Sequence, residues 1–255
     1  EIIAGNICAD FDRDFNAYLG SAGESQSLET GLQQLIVNQF DRLQKLDADA
    51  YELLCRAGCY RYQGLARVNA DALSSLLWDV EPQQRSQVIN SLKNRSLIEY
   101  YRGKYLLHPA IRAEAISRLR QTDRWIQSNQ QAAKFWINSV NHIIDITTAI
   151  TALEAYYHYI EIGDFQQAAQ VLLQPRSNQW GQFLPLASNL YRMGSIQPVL
   201  AAIEQIVPSL LPSRSTAELS NILGDLYWII GRVHEAIETQ QYTINYTTKS
   251  LAQSD

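Results

Sequence analysis

The sequence predicts a mainly α-helical protein in two parts: a helical domain bearing one small β-hairpin, then a solenoid of helical hairpins. Three observations predict it. Apolar residues recur at helical spacing along almost every segment. One stretch, "SLIEYYRGKYLLH", alternates as strands do, around the turn pair Arg102-Gly103. A tyrosine–glycine–alanine spacing then returns in the second half. The composition agrees: 255 residues with 46% apolar and 18% charged content suit one large domain or two smaller ones. A net charge of −5 speaks against a polyanion binder taken as a whole. No uncharged apolar run reaches about 18 residues, so no membrane span is expected. The opening "EIIAGNICADFDRDF" has no basic stretch ahead of an apolar core, so it does not read as a signal peptide. It lacks an initiator methionine and reads as starting mid-helix, as a fragment or processed piece would.

In chain order, "LETGLQQLIVNQFDRLQKL" places Leu32, Leu35, Ile36, Phe40 and Leu43 at helical spacing. "DADAYELLCRAGCY" begins on an aspartate start signal and carries a stripe of Tyr51, Leu54, Cys55 and Cys59. "NADALSSLLWDV" is a short helix with Asn69 as its N-cap. Glu81-Pro82 starts the next, with the proline in the first turn and Val88, Ile89 and Leu92 buried. The hairpin follows, and then a helix from Pro109 to about Leu119. Three helices and a two-stranded wing are the order of a winged helix, a variant of helix-turn-helix.

From about Gln121 the pattern reads as purely helical. Tyr159, Gly163 and Ala168 match Tyr227, Gly231 and Ala236, with Gly194 and Val199 between them. The glycines stand 31 and then 37 residues apart, close to the tetratricopeptide period of about 34. Glycine makes the tight turn between antiparallel helices, and the small residue lets them approach. The predicted domains are a helical remnant at 1–28, a winged helix at 29–121 and tetratricopeptide-like repeats at 122–255.

A winged helix followed by superhelical repeats resembles the C-terminal side of a STAND-type signal-transduction ATPase, the class that contains the NB-ARC proteins. "EIIAGNICADFDRDFNAYLG" looks like the helical segment after that family's glycine-leucine-proline motif. "LQQLIVNQFDRLQKLDADAYELLCRAGCY" is similar to its entry into the winged helix. "YLLHPAIRAEA" sits where the family has its methionine-histidine-aspartate motif. The resemblance implies that His108 reaches the terminal phosphate of bound ADP and locks the winged helix onto the nucleotide-binding domain. Leu107 replaces the motif's methionine and Pro109 its aspartate, so a bond made by that carboxylate is lost. A strand end meeting a helix N-terminus would make an anion-facing platform. The bland alternative is a hydrogen-bonded structural histidine. His142, His158 and His234 lack such context and read as structural or surface residues.

The phosphate cradle itself is missing. Gly103-Lys104 is the only Gly-Lys pair, and Ile98 stands where the first glycine of G-x-x-x-x-G-K-[ST] would be. No enzyme activity is therefore expected, and ADP or ATP would enter only with a joined nucleotide-binding domain. Asp10, Asp12 and Asp14 resemble the start of a calcium loop, but Phe15 and Ser21 occupy its glycine and glutamate positions. The three cysteines, Cys8, Cys55 and Cys59, suit a reducing cytoplasm, and Cys55 and Cys59 read as small hydrophobes rather than metal ligands. No metal is expected.

Two rival functions use other residues. Residues 85–124 carry nine basic and three acidic side chains, +6 inside a chain of −5. Arg85, Lys93, Arg95, Arg102 and Lys104 would be the contacts of a DNA-binding winged-helix regulator with a helical-repeat sensor. The favoured reading of this charge is contact with an acidic domain or nucleotide phosphates, so nucleic acid is possible and not preferred. The second rival is a tetratricopeptide scaffold or assembly factor, whose protein-binding groove would take in Asn221, Asp225 and Trp228. Trp228, an aromatic at helical spacing, is expected to pack in the core. The reading preferred from the sequence is the non-catalytic, nucleotide-sensing and protein-binding part of a STAND-type ATPase.

Overall fold

The computed structural model describes residues 28–62 and 68–252. Expectations for 1–27, including Cys8 and the Asp10–Asp14 run, lie outside them. The described chain is mainly helical and divides into two compact units, 1–132 and 133–255.

The first unit holds α1 (Leu28–Leu46), α2 (Ala48–Ala57), α3 (Ala70–Ser75), α4 (Pro82–Asn94), β1 (Glu99–Tyr101), β2 (Lys104–Leu106) and α5 (Pro109–Arg120). Helix α6 (Arg124–Ser139) contains the boundary between units. The caps fall where the side chains demand them. Asp47 Oδ1 accepts from Ala50 N–H (3.1 Å) and Asn69 Oδ1 from Ala72 N–H (2.9 Å). Pro82 opens α4 without a side-chain cap. Ile36, Phe40 and Leu43 of α1, Leu53 and Leu54 of α2, Leu92 of α4 and Ile111 of α5 form the core. Gly58 closes α2 against α5: a Cβ there would stand 2.9 Å from Ala115 Cβ and 3.1 Å from Ile116 N.

Strands β1 and β2 pair antiparallel, Tyr100 opposite Tyr105, around Arg102 (φ 49°) and Gly103 (φ 80°). Both turn residues are left-handed, as a two-residue hairpin of this hand needs. Tyr105 N–H also donates to Val68 O (2.8 Å), which ties the segment before α3 to the free edge of β2. This is the order and pairing of a winged helix.

The second unit stacks three helical hairpins. They are α7 (Ile146–Glu161) with α8 (Phe165–Leu173), α9 (Leu186–Arg192) with α10 (Ile196–Ile206), and α11 (Arg214–Ile229) with α12 (Val233–Ala252). Gly163, Gly194 and Gly231 adopt φ of 70°, 90° and 81°. After each, the next N–H reaches back to the same carbonyl: Asp164 to Tyr159 O, Ser195 to Leu190 O, Arg232 to Tyr227 O. All three turns are the same glycine stop. Ala168, Val199 and Ala236, five residues on, are buried where the helices meet. The hairpins pack together: α9 packs on α7 and α8, and α11 packs on α8 of the first hairpin as well as on α9 and α10.

The purely helical reading of this half needs one correction. Strands β3 (His142–Ile143), β4 (Pro175–Asn178) and β5 (Phe183–Pro185) form a small mixed sheet. Its hub is buried Asn178, whose Oδ1 accepts from Trp180 and Gln182 N–H (both 3.0 Å) and whose Nδ2 donates to Asn189 Oδ1 (2.8 Å).

Candidate functional site

His108 ends the wing and caps α5. Its Nδ1 accepts from Ala110 N–H (3.3 Å), and its carbonyl accepts from Arg112 N–H (2.9 Å). The residue is exposed. A ring nitrogen that accepts carries no proton, so in the neutral imidazole the proton sits on Nε2. The exposed ring therefore offers an Nε2–H donor. The helix N-terminus offers less than expected: Pro109 has no N–H, and the ring of His108 already takes that of Ala110. Backbone amides here form no broad anion cradle. What the corner presents is one oriented donor, able to meet one phosphate oxygen.

The +6 window is largely spent inside the fold. Arg85 turns inward, with Nε on Val80 O (2.9 Å) and Nη1 on Ser74 O (3.3 Å). Arg95 Nη1 donates to Ser91 Oγ (3.3 Å). Arg112 Nε holds Tyr60 O (2.7 Å), Arg118 pairs with Glu114 and Asp41, and Arg124 pairs with Glu52. Charge count alone is blind to this, because guanidinium forks bond carbonyls as readily as phosphates. Of the five proposed nucleic-acid contacts, Lys93 and Arg102 are exposed and lie over the rings of Tyr100 (4.6 Å) and Tyr101 (5.0 Å). Lys104 is half-buried on β2.

Asn221, Asp225 and Trp228 do share one exposed face of α11, at i, i+4 and i+7. Trp228 is 67% exposed, against the expectation that it packs in the core. Helical spacing fixes which residues share a face, not what covers that face. The sequence reading missed the continuation of this surface on α12, where Val233, Ile237 and Ile244 are also exposed. Their spacing along α12 was the available signal. It also missed a cleft of about 520 Å³ in the second unit, lined by Gln167 and Gln170 of α8, by Gln174 just after it, and by Arg214, Ser215 and Glu218 of α11.

Cys55 and Cys59 are buried free thiols. Burial pushes the Cys55 thiol up to about 12 and raises that of Cys59 as well, so both stay protonated. Among the described residues no three His, Cys, Asp or Glu side chains gather as metal ligands would, and no helix is long and apolar enough to cross a membrane.

No family model matches the chain, and no curated protein matches it. Among solved structures it is similar to a signal-transduction ATPase with numerous domains (STAND) bearing a tetratricopeptide repeat sensor, from Pyrococcus horikoshii. The two are 15% identical with a TM-score of 0.43 over 89% of this chain, which spans 35% of that protein's length.

Proposed function

We propose that this chain is the non-catalytic regulatory part of a STAND-type ATPase of the cytoplasm, with a winged helix that senses nucleotide state and helical repeats that bind a protein partner. The observation that carries the reading is the His108 corner: an exposed histidine whose Nδ1 is committed to its own helix, leaving Nε2 as the ring nitrogen for an outside partner. The residues fit a sensing contact to one phosphate oxygen of a nucleotide held elsewhere, and they do not amount to a nucleotide-binding site. ADP or ATP would be supplied by a nucleotide-binding domain, and this chain alone would turn over no ATP. Loss of a hydrogen bond to a charged phosphate is worth roughly 1.5–3 kcal/mol, enough to shift a two-state balance about ten-fold or more. The test is His108→Ala in the chain joined to its nucleotide-binding domain. Basal activity should rise and ADP should be held less tightly. Unchanged ADP affinity and unchanged basal activity would refute the sensing role.

A further inference from the structure

A buried cation without an acid lies behind the wall of the cleft between α8 and α11. Arg176 of β4 is 3% exposed, and no ion pair to it occurs among the described residues. Its Nη1 and Nη2 donate to Ile137 O (both 3.3 Å), and Nη2 also donates to Gln174 Oε1 (3.2 Å). Its Nε is buried and meets no acceptor. Both partners, Ile137 and Gln174, line the cleft. Burial alone pushes the arginine below its ordinary pKa, with no carboxylate working the other way. Ile137 stands in the last turn of α6, whose terminal carbonyls offset roughly half a charge. The rest of the charge is unmatched, whereas buried charges are as a rule paired.

Both walls of the cleft carry unspent donors. Arginine only donates, so Gln174 turns its amide oxygen to Arg176 and keeps its Nε2–H groups for an outside partner. On the other wall, Ser215 Oγ accepts from Gln170 Nε2 (3.1 Å), which leaves its hydroxyl proton to donate. Arg214 and Ser215 are the first two residues of α11, and their backbone N–H groups have no acceptor among the described residues. The Ser213 cap takes Thr216 N–H instead. The one carboxylate in the lining, Glu218, is already held by Arg214 Nε (2.8 Å). Arg176, Arg214 and Glu218 leave a net charge of +1, which one negative charge balances and two exceed. Val171, Leu173 and Pro175 add apolar wall, and the volume is that of a small-molecule site. We infer that this cleft binds a carboxylate on a short apolar body, held between Gln174 and the first turn of α11, with Arg176 supplying the charge behind it. A free acid and the C-terminus of a polypeptide share this chemistry. The inference rests on neither the His108 contact nor the partner-binding role of the repeats.

The test is an NMR chemical-shift titration of the isotope-labelled 255-residue chain. Hexanoate should bind saturably and move the Ser215 amide and the Gln174 side-chain signals. Hexanamide, the same body without the charge, should bind about ten-fold more weakly. Ser215→Ala should also weaken hexanoate, by about three- to ten-fold, with the melting temperature unchanged because the Ser213 cap does not use that hydroxyl. Gln174→Glu supplies the missing acid from within: it should raise the melting temperature and abolish hexanoate binding together. Tighter binding of acetyl-leucyl-leucine than of hexanoate, lost on amidating its C-terminus, would support the site and assign it to a polypeptide end. Equal or weaker binding of that peptide would support it as a site for a free acid. Equal affinity for hexanoate and hexanamide would overturn the inference. So would hexanoate binding that neither variant changes, or no saturable binding of either acid. Inorganic phosphate bound more tightly than both acids would overturn the carboxylate assignment.

Discussion

Removing Asp79 should destabilise the first unit more than removing Arg56, although Arg56 is the buried partner. Arg56 is fully buried, with its guanidinium 4.0 Å above the ring of Trp78. Its Nη1 and Nη2 each reach an Asp79 oxygen at 2.6 Å, and Nη1 also donates to Leu76 O (2.9 Å). Glu52 lies 3.3 Å away and Asp79 is 45% exposed. Replacing Arg56 by methionine keeps the stem volume and leaves two carboxylates that water can reach, a cost of about 1–2 kcal/mol from the lost carbonyl bond and packing. Asp79→Ala strands a guanidinium with no water around it. Breaking a buried pair costs about 3–5 kcal/mol, here near the lower end because Glu52 remains and Asp79 is half open. Urea unfolding at neutral pH checks the order. The double variant should be more stable than Asp79→Ala alone, since the stranded charge is gone. A double variant less stable than either single change would refute the reasoning. The pH dependence has a definite sign. The hydrogen bonds from Arg56 hold the Asp79 carboxyl below its usual range, so its stabilisation is present above the unfolded value of about 4 and is lost as pH falls through the folded one. Asp79→Ala should flatten that part of the acid-unfolding profile.

Three further outcomes are expected. His108→Ala in the chain alone should cost about 0.5–1 kcal/mol for the lost cap, and a large drop in melting temperature would show that His108 serves the fold rather than a sensing contact. Gly231→Ala, at φ 81° with open space around it, should cost about 1–2 kcal/mol from backbone strain alone, and an unchanged urea midpoint would refute the shared-turn account. Duplex DNA should bind weakly and with a shallow salt dependence, because few cations of the basic window face outward. A sequence-preferring complex that survives moderate salt and is lost on changing Lys93 and Arg102 would favour the DNA-binding alternative.

Where local chemistry decides a feature, the sequence announces it. Asp47 and Asn69 cap because their short acceptors fit the first turn, and Arg102-Gly103 turns because a two-residue hairpin demands left-handed backbone. The glycines at 163, 194 and 231 mark three identical stops. Where distant partners decide, it does not. Strand β4 reads "PRSN", with no alternation, and it exists because Asn178 and Asn189 satisfy the loop's backbone from 11 residues apart. Parallel pairing of β3 with β4 joins residues 35 apart, such as His142 and Ser177. The candidate site divides the same way. The His108 corner was legible as a motif, whereas its spent helix N-terminus required the ring's own bond to Ala110. The inward turn of Arg85 and the exposure of Trp228 depend on what lies across from each, which one-dimensional spacing does not carry.

The bond from Arg118 Nη2 to Val37 O (3.4 Å) joins the last helix of the winged-helix fold to the first, across 81 residues. Helix α5 also packs on both α1 and α2. The three hairpins of the second unit are each made of consecutive helices, and each packs on helices that precede it in the chain. The two units therefore differ in the order in which a growing chain can acquire structure. The second can add one hairpin at a time behind the ribosome, while the first must hold α1 and α2 without their covering helix until residue 120 has emerged, paying the loop-closure entropy in a single late step.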